Sequence, residues 1–114
     1  MRKDPTIFLH HILDSIRIIQ DYVSGMTFNE FEGLLQVQDA VIRRLEIIGE
    51  AVKHIPDDIR LLEPSIPWKE IAGLMDVLIH QYFGVDLKLT WRVVEFDLIN
   101  LEKGIRNLLS ALKT

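Results

Sequence analysis

Residues 71–86 carry polar side chains at a spacing that suits proton transfer, in a segment that reads IAGLMDVLIHQYFGVD. On a helix Asp76 and His80 lie one turn apart on the same face. A carboxylate in that position can orient the imidazole, and it favours the protonated form of the ring. Gly84 predicts the end of this helix, which places Tyr82 in the last turn. His80 and Tyr82 would then point about 200° apart, and fraying before Gly84 would let both reach one cleft.

The same segment resembles the HepT-like branch of the HEPN superfamily, whose members are small all-helical proteins. The family signature is an arginine, a spacer of four to six residues, a histidine, any residue and a tyrosine. His80 and Tyr82 match the second half of this signature. With the shortest spacer the arginine would stand at position 75, where this chain has Met75. The longer spacers fall on Leu74 and Gly73, so no arginine completes the signature.

The resemblance implies a toxin of a toxin–antitoxin system that acts as a ribonuclease, with RNA as its substrate. It implies an MntA-type minimal nucleotidyltransferase as the antitoxin, which would silence the toxin by transferring AMP to Tyr82. It also implies a homodimer whose cleft lies at the subunit boundary and contains His80 and Tyr82.

Cleavage of RNA without a metal requires a base for the 2′-hydroxyl, an acid for the leaving oxygen and positive charge near the phosphate. His80 can transfer protons near neutral pH, with Asp76 orienting its ring. The arginine of the family signature would hold the phosphate, because its forked donors match phosphate oxygens. Met75 supplies no charge, and loss of such a donor costs about 10²-fold to 10³-fold in rate. We therefore expect a metal-independent RNase of impaired activity.

Several other charged residues could border the cleft or partly replace the missing arginine. Residues 43–51, RRLEIIGEA, resemble the pattern of the second helix in HepT-like proteins. The candidates taken from this region and from elsewhere in the chain are Arg44, Glu50, Lys53, Lys69 and Arg92. The competing interpretation of the polar residues at 43–54 is a solvated helix face with ordinary ion pairs.

Two functions of other classes fit the same residues. A non-catalytic helical binding module, acting as a regulatory partner of the nucleotidyltransferase, would need no charge that binds phosphate. A plain helical dimerisation domain would leave the grouping of Asp76, His80 and Tyr82 unexplained.

The histidines do not predict a metal centre. His10 and His11 are adjacent and diverge by about 100° on a helix. His10 with Asp14, or Glu50 with His54, could supply two ligands each, which is too few for a stable site. No phosphate-cradling glycine loop is present either, so no metal or cofactor is expected.

Composition indicates one domain spanning residues 1–114. Hydrophobic residues make up 48% of the chain, which suffices for one core and leaves apolar surface for a partner. The chain has no cysteine, and its start is too polar for a signal peptide. No apolar run approaches the roughly 20 residues of a membrane span. A cytoplasmic protein without membrane contact is therefore expected. The net charge of −4 repels RNA as a whole, so RNA binding would need a local basic patch.

Start and stop signals predict the helices. Asp4 and Pro5 open a helix that runs to about Val23, and 27–30 form a capping box. A long helix is predicted from about Leu34 to His54, followed by a helical turn within 56–62. The segment 63–67 is a breaker whose last residue, Pro67, opens the motif helix at its first position. Asp86 caps a final helix that runs to about Leu112.

Apolar residues at alternating steps of three and four predict that these helices pack into one bundle. Gly49 inside the second long helix suggests a close helix crossing. The stripes are 9, 12, 16, 19 and 23; 41, 45, 48, 52 and 55; 71, 74 or 75, 78 and 82; and 91, 94, 98, 101, 105, 108 and 112. The off-stripe residues Val93, Phe96, Ile99 and Leu109 are expected to face a second neighbour or a second subunit. The fold class is therefore all-α, an up-and-down four-helix bundle of HEPN type with short extra helical turns, forming a dimer.

Overall fold

The computed structural model describes residues 4–80 and 86–113. In this part of the chain the structure is all helical, without a strand. The elements are α1 (Pro5–Val23), α2 (Phe28–Glu32), α3 (Leu35–Lys53), α4 (Asp57–Arg60), α5 (Trp68–Ile79), α6 (Leu87–Arg92), a π-helical turn (Val93–Asp97) and α7 (Leu98–Leu112). The predicted all-α bundle with short extra turns is confirmed.

The predicted helix starts are present where side-chain acceptors meet unpaired backbone donors. The Asp4 carboxylate accepts a hydrogen bond from the Thr6 backbone N–H at 2.9 Å, and this bond lowers the pKa of Asp4. Thr27 and Glu30 form the full capping box, each side chain accepting from the backbone N–H of the other. Asp86 caps α6 by accepting from the Leu89 N–H at 3.0 Å.

The helix α3 lies at the centre of the bundle, packed against α1 on one side and α5 on the other, while α7 packs against α1. Burial of the apolar stripes drives this arrangement. The stripe residues buried as predicted are Leu9, Ile12, Ile16 and Ile19; Val41, Leu45, Ile48, Val52 and Ile55; Ile71, Met75 and Leu78; and Val94, Leu98, Leu101, Ile105 and Leu108.

A close approach of α3 and α5 occurs at Gly49, as the glycine suggested. A Cβ placed on Gly49 would lie 3.0 Å from the Cβ of Met75. Met75 itself is only 1% exposed. Of the two alternatives at 74 and 75, the structure thus buries Met75 and leaves Leu74 partly exposed.

The motif helix differs from its prediction at both ends. Pro67 is the N-cap, and Trp68 rather than Pro67 is the first helical residue. The helix ends at Ile79 with His80 as C-cap, earlier than the end that Gly84 indicated. At this end the Asp76 carbonyl oxygen accepts from the His80 backbone N–H and also lies 2.9 Å from His80 Nδ1. Tyr82 and Gly84 lie outside the described residues.

The final helix is interrupted by the π-helical turn at Val93–Asp97, where the prediction was an unbroken helix. A π turn holds an extra residue, so both Val93 and Val94 are buried against the core. Of the off-stripe residues, Val93 and Leu109 face the bundle interior, whereas Phe96 and Ile99 are 61% and 42% exposed. None of the helices described is long and apolar enough to cross a membrane.

Candidate active site

The imidazole of His80 is held at the C-terminus of α5. Its Nδ1 lies 2.9 Å from the backbone carbonyl oxygen of Asp76. A carbonyl oxygen only accepts hydrogen bonds, so Nδ1 carries the proton and Nε2 has the lone pair when the ring is neutral. Asp76 therefore orients His80, but through its backbone rather than through its carboxylate.

The Asp76 carboxylate instead binds Lys53. The Lys53 Nζ donates to Asp76 Oδ1 at 2.9 Å and lies 3.6 Å from a carboxylate oxygen of Glu50. The hydrogen bond to Asp76, with the charge of both carboxylates, raises the pKa of Lys53. This polar bridge joins the last turns of α3 and α5 beside His80 and balances part of the negative charge there.

His80 opens onto a cavity of about 520 Å³ between α1, α3 and α5. Apolar side chains form part of its wall, and titratable groups form the rest. The lining residues are Phe8 and His11 from α1; Arg43, Glu46, Ile47, Glu50, Ala51 and His54 from α3 and its C-cap; and Asp76, Ile79 and His80 from α5 and its C-cap. The cavity is large enough for part of a nucleotide, and it combines proton-transfer groups with a cation.

A second histidine of this cavity is held in the same way as His80. His54 is the C-cap of α3, and its Nδ1 lies 2.8 Å from the carbonyl oxygen of Glu50. The face of its ring stacks on Phe8, with ring centroids 4.8 Å apart and planes inclined by 21°. The His11 ring is nearly perpendicular to the same Phe8 ring, with ring centroids 6.1 Å apart.

The charged residues predicted for the cleft divide into two groups. Glu50 lines the cavity, and Lys53 binds both Glu50 and Asp76 at its edge. The other candidates do not line it in the described structure: Arg44 on α3, Lys69 in the first turn of α5 and Arg92 at the end of α6. Met75 does not line it either, because its side chain packs toward Gly49.

Sequence reasoning missed Phe8, His11, Arg43 and His54 as neighbours of His80 in one cavity. They come from two helices distant from the motif, and their grouping depends on how α1 and α5 pack on α3. The adjacency of Arg43 to the predicted Arg44 was a usable signal, since only one of two neighbouring helix positions can face a given site.

A metal centre is not formed by the described residues, among which no group of three potential ligands converges. His10, which the sequence paired with Asp14, lies with Asp14 and Arg17 in a separate groove between α1 and α7.

Comparison with known protein families identifies the family to which this chain belongs. A family model described as “Ribonuclease HepT-like” matches residues 12–108. The chain belongs to the HepT-like ribonuclease family. No solved structure matches significantly.

Individual relatives agree with the HepT-like assignment. A “Probable ribonuclease HepT” of Thermococcus cleftensis is 42% identical over 90% of this chain and 93% of its own length. A “Putative RNase” of Methanocaldococcus jannaschii is 40% identical over 91% of this chain and 95% of its own. A “Gamma-glutamylcyclotransferase and putative RNase” of the same organism is 49% identical over 98% of this chain, which spans only 50% of that longer protein.

Proposed function

We propose that this HepT-like protein is a metal-independent endoribonuclease in which His80 transfers protons, and that its activity is low because Met75 replaces the arginine of the signature. The observation that carries the proposal is the His80 ring. It is fixed by its Nδ1 bond to the Asp76 carbonyl and opens onto a cavity of about 520 Å³. The known relatives named as RNases support RNA as the substrate.

Neutral His80 can accept the proton of a 2′-hydroxyl through Nε2, because Nδ1 is committed to the carbonyl. The oxygen so activated attacks the adjacent phosphorus, and negative charge grows on the phosphate oxygens. Asp76 positions the ring through its backbone, and its carboxylate is partly neutralised by Lys53.

Positive charge for the phosphate comes from Arg43, the arginine that lines the cavity. Its guanidinium pairs with Glu46 and remains largely exposed, so it can exchange that partner for a phosphate at little cost. An exposed and already paired cation stabilises the transition state less than a preorganised one. Weak cleavage, rather than none, is therefore the expected activity.

The remaining parts of the proposal concern regulation and assembly. We propose that an MntA-type nucleotidyltransferase is the antitoxin and transfers AMP to Tyr82, as the family signature implies. A homodimer would cover Phe96 and Ile99, which are exposed apolar side chains beside the π-helical turn. These steps make the protein the toxin of a toxin–antitoxin pair.

The test compares cleavage of a mixed RNA pool, with EDTA present, by the native chain, Met75→Arg, and Met75→Arg combined with His80→Ala. Met75→Leu is the matched control, because it changes the same buried site without adding charge. Met75 is buried between α3 and α5, so an arginine there must extend along this interface to bring its guanidinium to the cavity. We expect such an arginine to raise the rate per folded molecule by about 10²-fold, Met75→Leu to leave it unchanged, and the added His80→Ala to abolish cleavage.

Cleavage that survives His80→Ala would refute the mechanism. If every variant is folded and silent, the nuclease proposal fails, and the non-catalytic binding module becomes the better account. That module predicts a stable complex with a co-expressed nucleotidyltransferase, measurable by size-exclusion chromatography with light scattering.

A further inference from the structure

We infer that His54 is a second catalytic residue, which acts with His80 as the other member of an acid–base pair for RNA cleavage. This inference rests on the proposed nuclease function and names the group that would complete its proton transfers. Its basis is geometric, since the two imidazoles come from different helices, line one cavity and share the same local arrangement.

The first step of the argument is the fixed tautomer. His54 Nδ1 lies 2.8 Å from the Glu50 carbonyl oxygen, and His80 Nδ1 lies 2.9 Å from the Asp76 carbonyl oxygen. In both cases Nδ1–H is the donor, so each ring uses Nε2 to exchange a proton. Both residues are helix C-caps, so the two rings are held at the ends of α3 and α5 in the same way.

The second step is preorganisation. Stacking on Phe8 at 4.8 Å sets the plane of the His54 ring, while the Nδ1 bond sets its rotation. A proton-transfer group held in two ways loses little entropy when it meets a substrate. The Nδ1 bond and the stacking together place the His54 ring in the wall of the cavity, where it can contact a substrate.

The third step is the charge around the pair. The other titratable or charged groups at this cavity are His11 from α1, Arg43, Glu46 and Glu50 from α3, and Asp76 from α5, with Lys53 at the edge. Arg43 pairs with Glu46, and Lys53 binds both Glu50 and Asp76. These pairings partly balance the charge of the groups that surround the two histidines.

The reaction balances with these groups alone. One unprotonated imidazole takes the proton of the 2′-hydroxyl as the 2′-oxygen–phosphorus bond forms. The other imidazole, protonated, gives its proton to the 5′-oxygen as the phosphorus–5′-oxygen bond breaks. The products are a 2′,3′-cyclic phosphate and a 5′-hydroxyl, and the exchanged protonation states are restored through water.

The test uses His54→Asn and His80→Asn with two substrates, an RNA oligonucleotide and uridine 3′-(4-nitrophenyl phosphate). Asparagine keeps a polar side chain at each C-cap, but its amide cannot act as a general acid or a general base near neutral pH. We expect each variant to cleave RNA about 10²-fold to 10⁴-fold more slowly than the native chain. The melting temperature should change only slightly, because both side chains are exposed. The matched control His10→Asn alters an exposed histidine of α1 in the separate groove and should have no effect.

The aryl ester assigns the two roles, because 4-nitrophenolate leaves without being protonated. The variant that lacks the general acid should still cleave the ester, whereas the variant that lacks the base should not. Identical losses by both variants on both substrates would overturn the acid–base pair. Native-rate RNA cleavage by His54→Asn would overturn this inference alone, while absence of cleavage by the native chain would overturn the proposed function with it.

A binding measurement separates the inference from activity. Uridine 3′-monophosphate is titrated into ¹⁵N-labelled native protein, and the imidazole signals are followed by NMR. The expected result is that the His54 and His80 ring signals shift together and that the His10 signal does not. A shift of His80 without His54 would place His54 outside the site.

Discussion

The two sides of α5 have opposite environments. One side, Ile71, Met75 and Leu78, is buried in the core, and Met75 meets α3 at Gly49. The other side carries Asp76 and leads to the exposed His80, which opens onto the cavity. Met75, where the resemblance places the signature arginine, thus lies on the core side, and His80 lies on the cavity side. Substitutions on the two sides should therefore affect different properties.

The largest effect is expected on the cavity side, from His80→Ala. This change removes the proposed proton-transfer group and should lower RNA cleavage by about 10²-fold to 10⁴-fold. His80 is exposed, so the melting temperature should change little. Kinetics and differential scanning calorimetry on the same sample check both statements. A large loss of stability would show that a residue on the cavity side of α5 also stabilises the fold.

Met75→Ala tests the core side. It empties a buried volume between α3 and α5 and should lower the free energy of unfolding by about 2–5 kcal/mol. Cleavage per folded molecule should stay at the native level, since Met75 does not line the cavity. Urea titration measures the free energy of unfolding. A tenfold loss of cleavage in the fully folded variant would show that the core side of α5 also affects cleavage.

Gly49→Ala sharpens the comparison from the α3 side. The new Cβ would lie 3.0 Å from Met75 Cβ, an atom that cannot rotate away from its backbone. After the gain in helix propensity, the net destabilisation should be on the order of 1 kcal/mol. The control Gly73→Ala has nothing within 4 Å of its new Cβ and should stabilise α5. Equal effects of the two changes would show that α3 and α5 are not in close contact.

The smallest effect is expected from Lys53→Gln, at the border of the two sides. Because the pKa of Lys53 is raised in the folded state, its ion pairs stabilise the fold below the ordinary lysine pKa of 10.5 and lose this effect as the pH rises through the folded value. The side chain is exposed, so the stability difference should be small and should shrink in high salt. Thermal melts from pH 7 to 11 at two ionic strengths measure it.

The bundle could be predicted from the sequence because caps and apolar periodicity are local. Asp4, Thr27 and Asp86 each cap the predicted helix, and the stripe of α3 is buried throughout. The end of α5 at Ile79 was not predicted, because the sequence signal for a helix end was Gly84, five residues farther along the chain. The π-helical turn was hidden because the stripe around Val94 and Leu98 fits an ordinary α-helix.

The candidate site was only half predictable. The motif pointed to Asp76 and His80, but the position of His54 on Phe8 depends on the packing of α1 against α3. The missing arginine directed attention to Arg44, Lys69 and Arg92, whereas Arg43 is the arginine that lines the cavity among the described residues. Which of two adjacent residues faces a site depends on helix rotation, and that rotation is set by the whole core.

The π-helical turn at Val93–Asp97 fixes the rotation of α6 relative to α7. The helix α6 begins directly after Asp86, the last residue of the motif segment. Removing one residue from this turn would restore ordinary α-helical winding and rotate α6 by about 100° relative to α7. Trp91 would then leave its contacts with Phe28 and Phe31, and the capping residue Asp86 would swing with it. The extra residue of the π turn thus sets the direction in which α6 leaves α7 and the face that Trp91 presents to α2.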